Sequence, residues 1–188
     1  MNQVLKDALE DNPIIVAIKD DAGLQKCKES ESRIIFILYG DLLNIADIVD
    51  QVKVAGKIAF VHIDLIQGLH SNEIAVDYIK QHTKADGIIS TKAPLITRAK
   101  ELGLYTLMRF FMLDSMAFAN MERQIKNAKP DVIEILPALM PKIIRKTCAM
   151  TSRPVIAGGL VSDKEDVMAC LDAGATCISS TNTDVWFL

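Results

Sequence analysis

Residues 154–182 read PVIAGGLVSDKEDVMACLDAGATCISSTN, and this stretch decides the fold class. A short apolar run ends at Gly158 and Gly159, a segment with helical spacing follows, and a second short run ends in hydroxyl residues. Asp163 stands where it can cap the helix, and Gly174 stands where a left-handed residue ends one. The stretch therefore predicts a strand, a helix and a second strand, which is the repeating unit of a parallel sheet.

The same alternation runs along the rest of the chain. Strands are predicted at residues 14–18, 34–39, 58–63, 87–90, 105–109, 132–136, 154–157 and 176–179. Helical spacing is found at residues 45–55, 73–81, 94–102, 116–128, 142–150 and 164–173. Eight strands in strict alternation with helices favour a compact (β/α)₈ barrel of the TIM type over an open doubly wound sheet.

The end of the chain is short for such a barrel. Only residues 181–188 follow the last predicted strand, fewer than the roughly 11 residues of an average helix. We therefore expect the last outer helix to be missing or reduced to a turn. The flank left open would be covered by residues 4–9, by Trp186 and Phe187, or by a second subunit.

Composition limits the classes of function. The 188 residues predict a single globular domain, residues 1–188, and 21 basic against 24 acidic residues give a net charge of −3. This balance does not by itself suggest a nucleic-acid partner. The first residues lack the apolar core of a signal peptide, the four cysteines form no CxxC pair, and no apolar run is long enough to span a bilayer, so we expect a cytoplasmic protein. The three histidines have no second ligand at a useful spacing, and no metal or other cofactor is expected.

Two predicted loops carry the features of a phosphate site. Barrels of this type commonly bind phosphate after the seventh and eighth strands. Gly158 and Gly159 follow the seventh, where the absence of a Cβ lets backbone N–H groups approach an anion. Ser180 and Thr181 follow the eighth and add hydroxyl groups. The alternative is an ordinary turn and a solvated loop.

Four further polar residues end strands at the same side of the barrel. Asp64, Lys92, Arg109 and Glu134 could bind the hydroxyls and the charged group of a small ligand. Two other interpretations stay open. Asp64 could instead cap the loop that follows it, and Glu134 could form a salt bridge inside the barrel with Arg109 or Lys92.

One segment is rich in methionine and phenylalanine. Its apolar members are Met108, Phe110, Phe111, Met112, Met116 and Phe118. They predict core positions followed by an apolar loop, and the alternative is a contact with a second subunit. Together with the short C-terminus, this segment suggests a homodimer.

Six stretches of the sequence together resemble one family. They are HIDLIQGL (62–69), DGIISTK (86–92), MRFFMLDS (108–115), KPDVIEILPALMPKII (129–144), PVIAGGLVSDKEDV (154–167) and DAGATCISSTNTDVW (172–186). The chain is similar through these stretches to the glycerol-3-phosphate-responsive antiterminators. The resemblance implies a sensor that binds glycerol 3-phosphate and acts on a leader mRNA of glycerol-uptake genes so that transcription passes a terminator.

The resemblance also implies an arrangement of the site. The phosphate would lie at Gly158, Gly159, Ser180 and Thr181. The geometry of the strand ends then places the glycerol end near Asp64, Lys92 and Glu134. The RNA would need a local basic surface on this acidic chain. Lys142, Arg145 and Lys146 form one such cluster on a predicted helix, and Arg123 and Lys126 form a second on the preceding helix; a solvated helix face is the alternative for both.

A different class of function also fits a phosphate-binding barrel, because this architecture hosts many chemistries. The chain would then be an isomerase, epimerase or lyase acting on a small sugar or polyol phosphate. Glu134 or Asp64 would be the general base, and Lys92 or Arg109 would stabilise an enediolate. A protein that only binds a metabolite is a third alternative.

Overall fold

The computed structural model describes residues 3–188 and shows a closed barrel of eight parallel strands in chain order. Strands β1 to β8 are Ile14–Ile18, Ile34–Ile37, Ile58–His62, Gly87–Ser90, Tyr105–Phe111, Val132–Leu136, Val155–Gly158 and Cys177–Ser180. Among these residues the helices α1 to α8 are Gln3–Asp11, Asp21–Lys26, Ile45–Val54, Glu73–His82, Ala93–Glu101, Ser115–Ala128, Pro141–Met150 and Lys164–Asp172. Because β8 pairs with β1, the sheet is closed, and the predicted (β/α)₈ barrel is confirmed.

Several strand ends differ from the predicted ones. β5 continues two residues further, because the pairing with β6 extends to Phe111 opposite Leu136. β7 and β8 each end one residue later than predicted, at Gly158 and Ser180. Arg109, Gly158 and Ser180 are therefore strand residues, held in place by the sheet.

The barrel interior is apolar over most of its length. Its buried residues on the strands include Ile15, Ala17, Ile34, Phe36, Ile58, Phe60, Ile89, Leu107, Val132, Ile156 and Cys177. Helix α1 adds Leu5, Ala8 and Leu9 to the same cluster, and the Cys177 thiol lies 3.2 Å from the carbonyl oxygen of Leu9. Helix α1 thus closes the N-terminal end of the barrel, so the proposal that residues 4–9 cover the flank beside β8 is wrong.

The flank beside β8 is covered by the last residues of the chain. As expected, turns replace an outer helix in the described residues after Ser180. Trp186 is buried in the outer core, and its indole Nε1–H donates to the carbonyl oxygen of Ser180 at 2.8 Å. Val185 packs beside Ile178, whereas Phe187 stays half exposed. Trp186 and Val185 therefore take the place of the missing helix within one chain.

Candidate functional site

A polar layer lies at the C-terminal end of the barrel interior. Side chains alternate between the two faces of each strand. Arg109 and Glu134 lie opposite each other on β5 and β6, and both side chains face the barrel interior. Ser179 on β8 also faces inward, beside Gly158 on β7. Above this layer opens a cavity of about 360 Å³. Its lining residues are Ala17, Leu38, Arg109, Glu134, Leu136, Gly159, Leu160, Val161, Ser162, Ser179, Ser180, Thr181 and Asn182.

Glu134 is the centre of the polar layer. Its side chain is fully buried, and Arg109 Nε donates to Oε2 at 2.6 Å while the Ser179 hydroxyl donates to Oε1 at 2.5 Å. Burial of a charge is costly unless it is paired and hydrogen-bonded, and both conditions are met here. Of the two salt bridges considered from the sequence, the structure contains the one with Arg109 and not the one with Lys92.

Only a glycine fits at position 158, beside the hydrogen bond between Ser179 and Glu134. A Cβ at this position would lie 2.5 Å from the Ser179 hydroxyl oxygen and 2.7 Å from Glu134 Oε1, closer than atoms can approach. The glycine therefore makes room for the hydrogen bond between Ser179 and Glu134. The sequence suggested direct contact of Gly158 with an anion, but in the structure Gly158 ends β7 and does not line the cavity.

The loop after β7 lines the cavity and carries unpaired backbone N–H groups. Gly159 and Leu160 both have left-handed backbone, with φ of 78° and 64°. The N–H groups of Leu160 and Val161, and that of Thr181 after β8, donate to no group of residues 3–188. Successive N–H groups of this kind form an anion-binding concavity. The structure therefore brings Gly159 and Thr181 to one cavity, as predicted from the sequence.

Side chains hold the two loops together. The Ser180 hydroxyl donates to the carbonyl oxygen of Val161 at 3.2 Å and accepts from the Asn182 N–H at 3.1 Å. The Asn182 side-chain amide donates to the carbonyl oxygen of Ser162 at 3.0 Å. The Ser180 hydroxyl therefore links the two loops, and Ser180 also lines the cavity; the direct phosphate contact expected of it stays a prediction.

Asp64 and Lys92 lie apart from this cavity. The Asp64 carboxylate accepts from the Thr91 N–H at 2.9 Å and from the Ser90 hydroxyl at 3.0 Å, so it ties the loop after β3 to the loop after β4. Lys92 is exposed and lines a separate, open depression of about 830 Å³ between the starts of α4 and α5. The ligand contacts expected of both residues are therefore not brought together with Arg109 and Glu134.

His62 joins the polar layer, a role that the sequence did not indicate. It ends β3 and points inward like Phe60, and its Nδ1 has no hydrogen-bond partner among residues 3–188, with Asp64 Oδ2 3.9 Å away. Burial, the largest cause, and the nearby Arg109 charge together lower the pKa of His62 to about 4, against the opposing effect of Asp64. The ring is therefore neutral at neutral pH. The sequence could have indicated this position, because His62 is two residues after Phe60 and so shares its face of the strand.

The basic residues singled out from the sequence lie on adjacent helices. Lys142, Arg145 and Lys146 are all exposed on α7, and none of them pairs with a carboxylate among residues 3–188. On α6, Lys126 pairs with Glu122 at 2.6 Å, and Arg123 donates to the Asn120 side chain. The three basic residues of α7 therefore have more unpaired positive charge to offer to a nucleic acid than Arg123 and Lys126 on α6.

The methionine- and phenylalanine-rich segment divides into two parts. Met108, Phe110 and Met112 are buried in the outer core, as the pattern predicted. Phe111 and Met116 are 50% and 71% exposed, and Leu113, in the loop before α6, is 84% exposed.

Within residues 3–188, no group of three histidine, cysteine or acidic residues is arranged to hold a metal ion, and no helix is both long and apolar enough to cross a membrane.

The protein is therefore of the class of (β/α)₈ barrels whose polar site lies at the carboxyl ends of the strands, above the apolar interior. The family described as "Glycerol-3-phosphate responsive antiterminator" matches residues 14–186. The chain belongs to that family, which confirms the resemblance found in the sequence.

Individual relatives cover nearly the whole chain. The uncharacterized protein YgcP of Escherichia coli K12 is 44% identical over 180 residues, 96% of this chain and 94% of the relative. The crystal structure of the glycerol uptake operon antiterminator regulatory protein from Listeria monocytogenes is similar with a TM-score of 0.89 at 31% identity, covering 92% of this chain and 94% of that one. An antiterminator-related protein from Thermotoga maritima gives a TM-score of 0.82 at 34% identity, covering 93% and 98%.

Proposed function

We propose that this protein is a cytoplasmic regulator that binds glycerol 3-phosphate, or a closely related phosphorylated polyol, and acts on a leader mRNA as a transcription antiterminator. The observation that carries the ligand is the cavity lined by Leu160, Val161 and Thr181, whose backbone N–H groups have no partner among residues 3–188. Membership of a family described as responsive to glycerol 3-phosphate supports the choice of ligand.

The phosphate would bind between the loops that follow β7 and β8. Backbone N–H groups hold anions without a cationic side chain when several converge on one point. The links from Ser180 and Asn182 keep the two loops in place before the ligand arrives, which reduces the entropy lost on binding. The Thr181 side chain is exposed beside the cavity and supplies a further donor.

The polyol end would extend toward the polar layer. Arg109, Glu134 and Ser179 line the same cavity as Gly159 and Thr181, so a short ligand bound at the loops points at them. Asp64 and Lys92, first considered for this end, take no part in the proposal because they do not line the cavity.

The ligand site is tested with Gly159→Asp. The substitution places a negative charge and a side chain where the phosphate would lie, so titration calorimetry should show a loss of glycerol 3-phosphate affinity of at least about tenfold. Gly103→Asp is the matched control, since Gly103 has a similar φ of 72°, has nothing within 4 Å and lies at the opposite end of the barrel. Equal binding by both variants would place the phosphate elsewhere.

The regulatory step is tested by a gel shift. The unmodified protein is mixed with a leader transcript that contains a terminator, with and without glycerol 3-phosphate. Retardation that requires the ligand supports the antiterminator function. Absence of retardation together with turnover of a sugar or polyol phosphate would favour an enzyme instead.

No observation in the described residues favours the enzyme. The two carboxylates considered as the general base both hold structural contacts: Glu134 pairs with Arg109 and accepts from Ser179, and Asp64 holds the loop after β4. We therefore propose a binding protein without catalytic residues and without a cofactor.

A further inference from the structure

We propose that the buried pair of Arg109 and Glu134 makes the cavity selective for ligands whose end distant from the phosphate is uncharged, and that Glu134 is the residue that excludes a carboxylate there. The inference rests on the proposed phosphate position at the loops after β7 and β8. It adds the chemical class that the site accepts at its other end: a polyol hydroxyl, as opposed to the carboxylate of a phosphorylated hydroxy acid.

The charge of the cavity lining supports this selectivity. Arg109 and Glu134 are the charged members of the lining, and they neutralise each other through a 2.6 Å contact. His62, which is adjacent in the polar layer, is neutral because burial lowers its pKa. The lining therefore has no net charge to offer to a second anionic group.

The hydrogen-bonding groups of the layer match a hydroxyl. The two terminal nitrogens of Arg109 donate to no group of residues 3–188, so they remain available to a ligand oxygen. The Glu134 side chain is 0% exposed, so it acts on a ligand through its charge and not through direct contact. A hydroxyl can accept from the guanidinium without bringing a negative charge near Glu134. A ligand carboxylate can only accept, and it would face the negative charge of Glu134.

Burial makes this repulsion strong. Glu134 is fully buried and Arg109 is 8% exposed, so little water screens the ligand from either charge. Like charges brought together in a dry site cost far more than they do at a surface. Gly158 and Ser179 fix the position of the carboxylate, because the glycine leaves room for the Ser179 hydroxyl bond. Glu134 therefore cannot turn away from an incoming anion.

The experiment compares two ligands of similar size by titration calorimetry. Glycerol 3-phosphate has a neutral hydroxyl end, and 3-phosphoglycerate has a carboxylate at the corresponding end. The unmodified protein is expected to bind glycerol 3-phosphate at least about tenfold more tightly. In Glu134→Gln, the guanidinium loses its partner charge while the side-chain size is kept. The ratio of the two affinities should then shift by at least about tenfold toward 3-phosphoglycerate.

A control and a stability measurement accompany this variant. Glu122→Gln makes the same chemical change on the exposed face of α6, far from the cavity, and should keep the selectivity of the unmodified protein. Thermal melting shows whether Glu134→Gln is folded. If it is not, the comparison of the two ligands on the unmodified protein still decides, because the proposal requires the preference there.

The outcomes separate the two proposals. Equal binding of both ligands by the unmodified protein would overturn the selectivity proposal and leave the phosphate site standing. An unchanged affinity ratio in folded Glu134→Gln would overturn the role of Glu134. Binding of neither ligand, nor of inorganic phosphate, would overturn the proposed function and the selectivity with it.

Discussion

His62 is a buried histidine kept neutral by its surroundings, and this gives the protein a defined dependence on pH. Its pKa is about 4 in the folded chain, against 6.5 for an unperturbed histidine. Between these values the unfolded chain binds the proton more readily, so stability falls as the pH drops through this window and is unaffected above it. Arg109 opposes protonation and Asp64 favours it, but desolvation is the largest effect.

The prediction is a loss of about 2 kcal/mol in the free energy of unfolding between pH 7 and pH 5 from this single group. Urea denaturation at the two pH values measures it. His62→Gln cannot be protonated and should remove most of the loss. His70→Gln is the control, because His70 is exposed and should leave the pH dependence as it is. An equal loss in His62→Gln would show that another group titrates.

At single positions, the sequence predicted which strand ends share the candidate cavity, but not which polar side chains are already held by their neighbours. Gly159 and Thr181 could be predicted because fold class alone places the ends of β7 and β8 together. Asp64 and Lys92 also follow strand ends, yet one is bound by the loop after β4 and the other points outward. Which side chains are already occupied by neighbours cannot be read from the order of residues.

At the scale of helices and strands, periodicity and boundary residues predicted most of the architecture. Asp163 caps α8 by accepting from the Asp166 N–H at 2.9 Å, as its position before the helix suggested. The six-residue helix α2 was missed, because so short a segment shows hardly two turns of helical period. The end of β5 was predicted too early, at Arg109. Because Arg109 is charged, the sequence suggested that the strand ends there. Its buried partner Glu134 explains why the strand can continue past it.

Helix α7 is the element on which RNA binding is predicted. Arg145 and Lys146 are exposed and lie about one turn from Lys142 on the same helix, without a carboxylate partner in the described chain. Arg145→Gln combined with Lys146→Gln should weaken binding of the leader transcript. The salt dependence should become shallower, with the slope falling by about one for each phosphate that the variant no longer neutralises.

The measurement is a gel shift or filter assay at several salt concentrations, with calorimetry to show that glycerol 3-phosphate affinity is kept. Lys80→Gln combined with Lys84→Gln is the matched control, because both lysines are exposed and belong to α4 and the loop that follows it, away from α7. Unchanged transcript binding by the α7 double variant would reject this surface.

At the scale of the whole molecule, the question is what covers the apolar residues at the rim of the barrel. The short C-terminus gives no reason for a partner, since Trp186 and Val185 close that flank within one chain. The exposed residues around the loops after β5 and β6 remain. They are Phe111 at 50%, Leu113 at 84%, Met116 at 71% and Leu139 at 45% exposure. The two loops are neighbours, since the Met112 N–H donates to the carbonyl oxygen of Leu136.

Several large exposed apolar residues on neighbouring loops are typical of a contact between subunits. We therefore expect a dimer formed through this surface, and light scattering at micromolar concentration should give twice the mass of one chain. Leu113→Glu combined with Met116→Glu introduces like charges on both sides of a symmetric contact, so this variant should have the mass of a monomer. Leu43→Glu is the control, because Leu43 is 92% exposed in the loop after β2 and away from this surface. A monomeric parent protein would contradict the prediction, and a dimer that persists in the double variant would move the contact to another face.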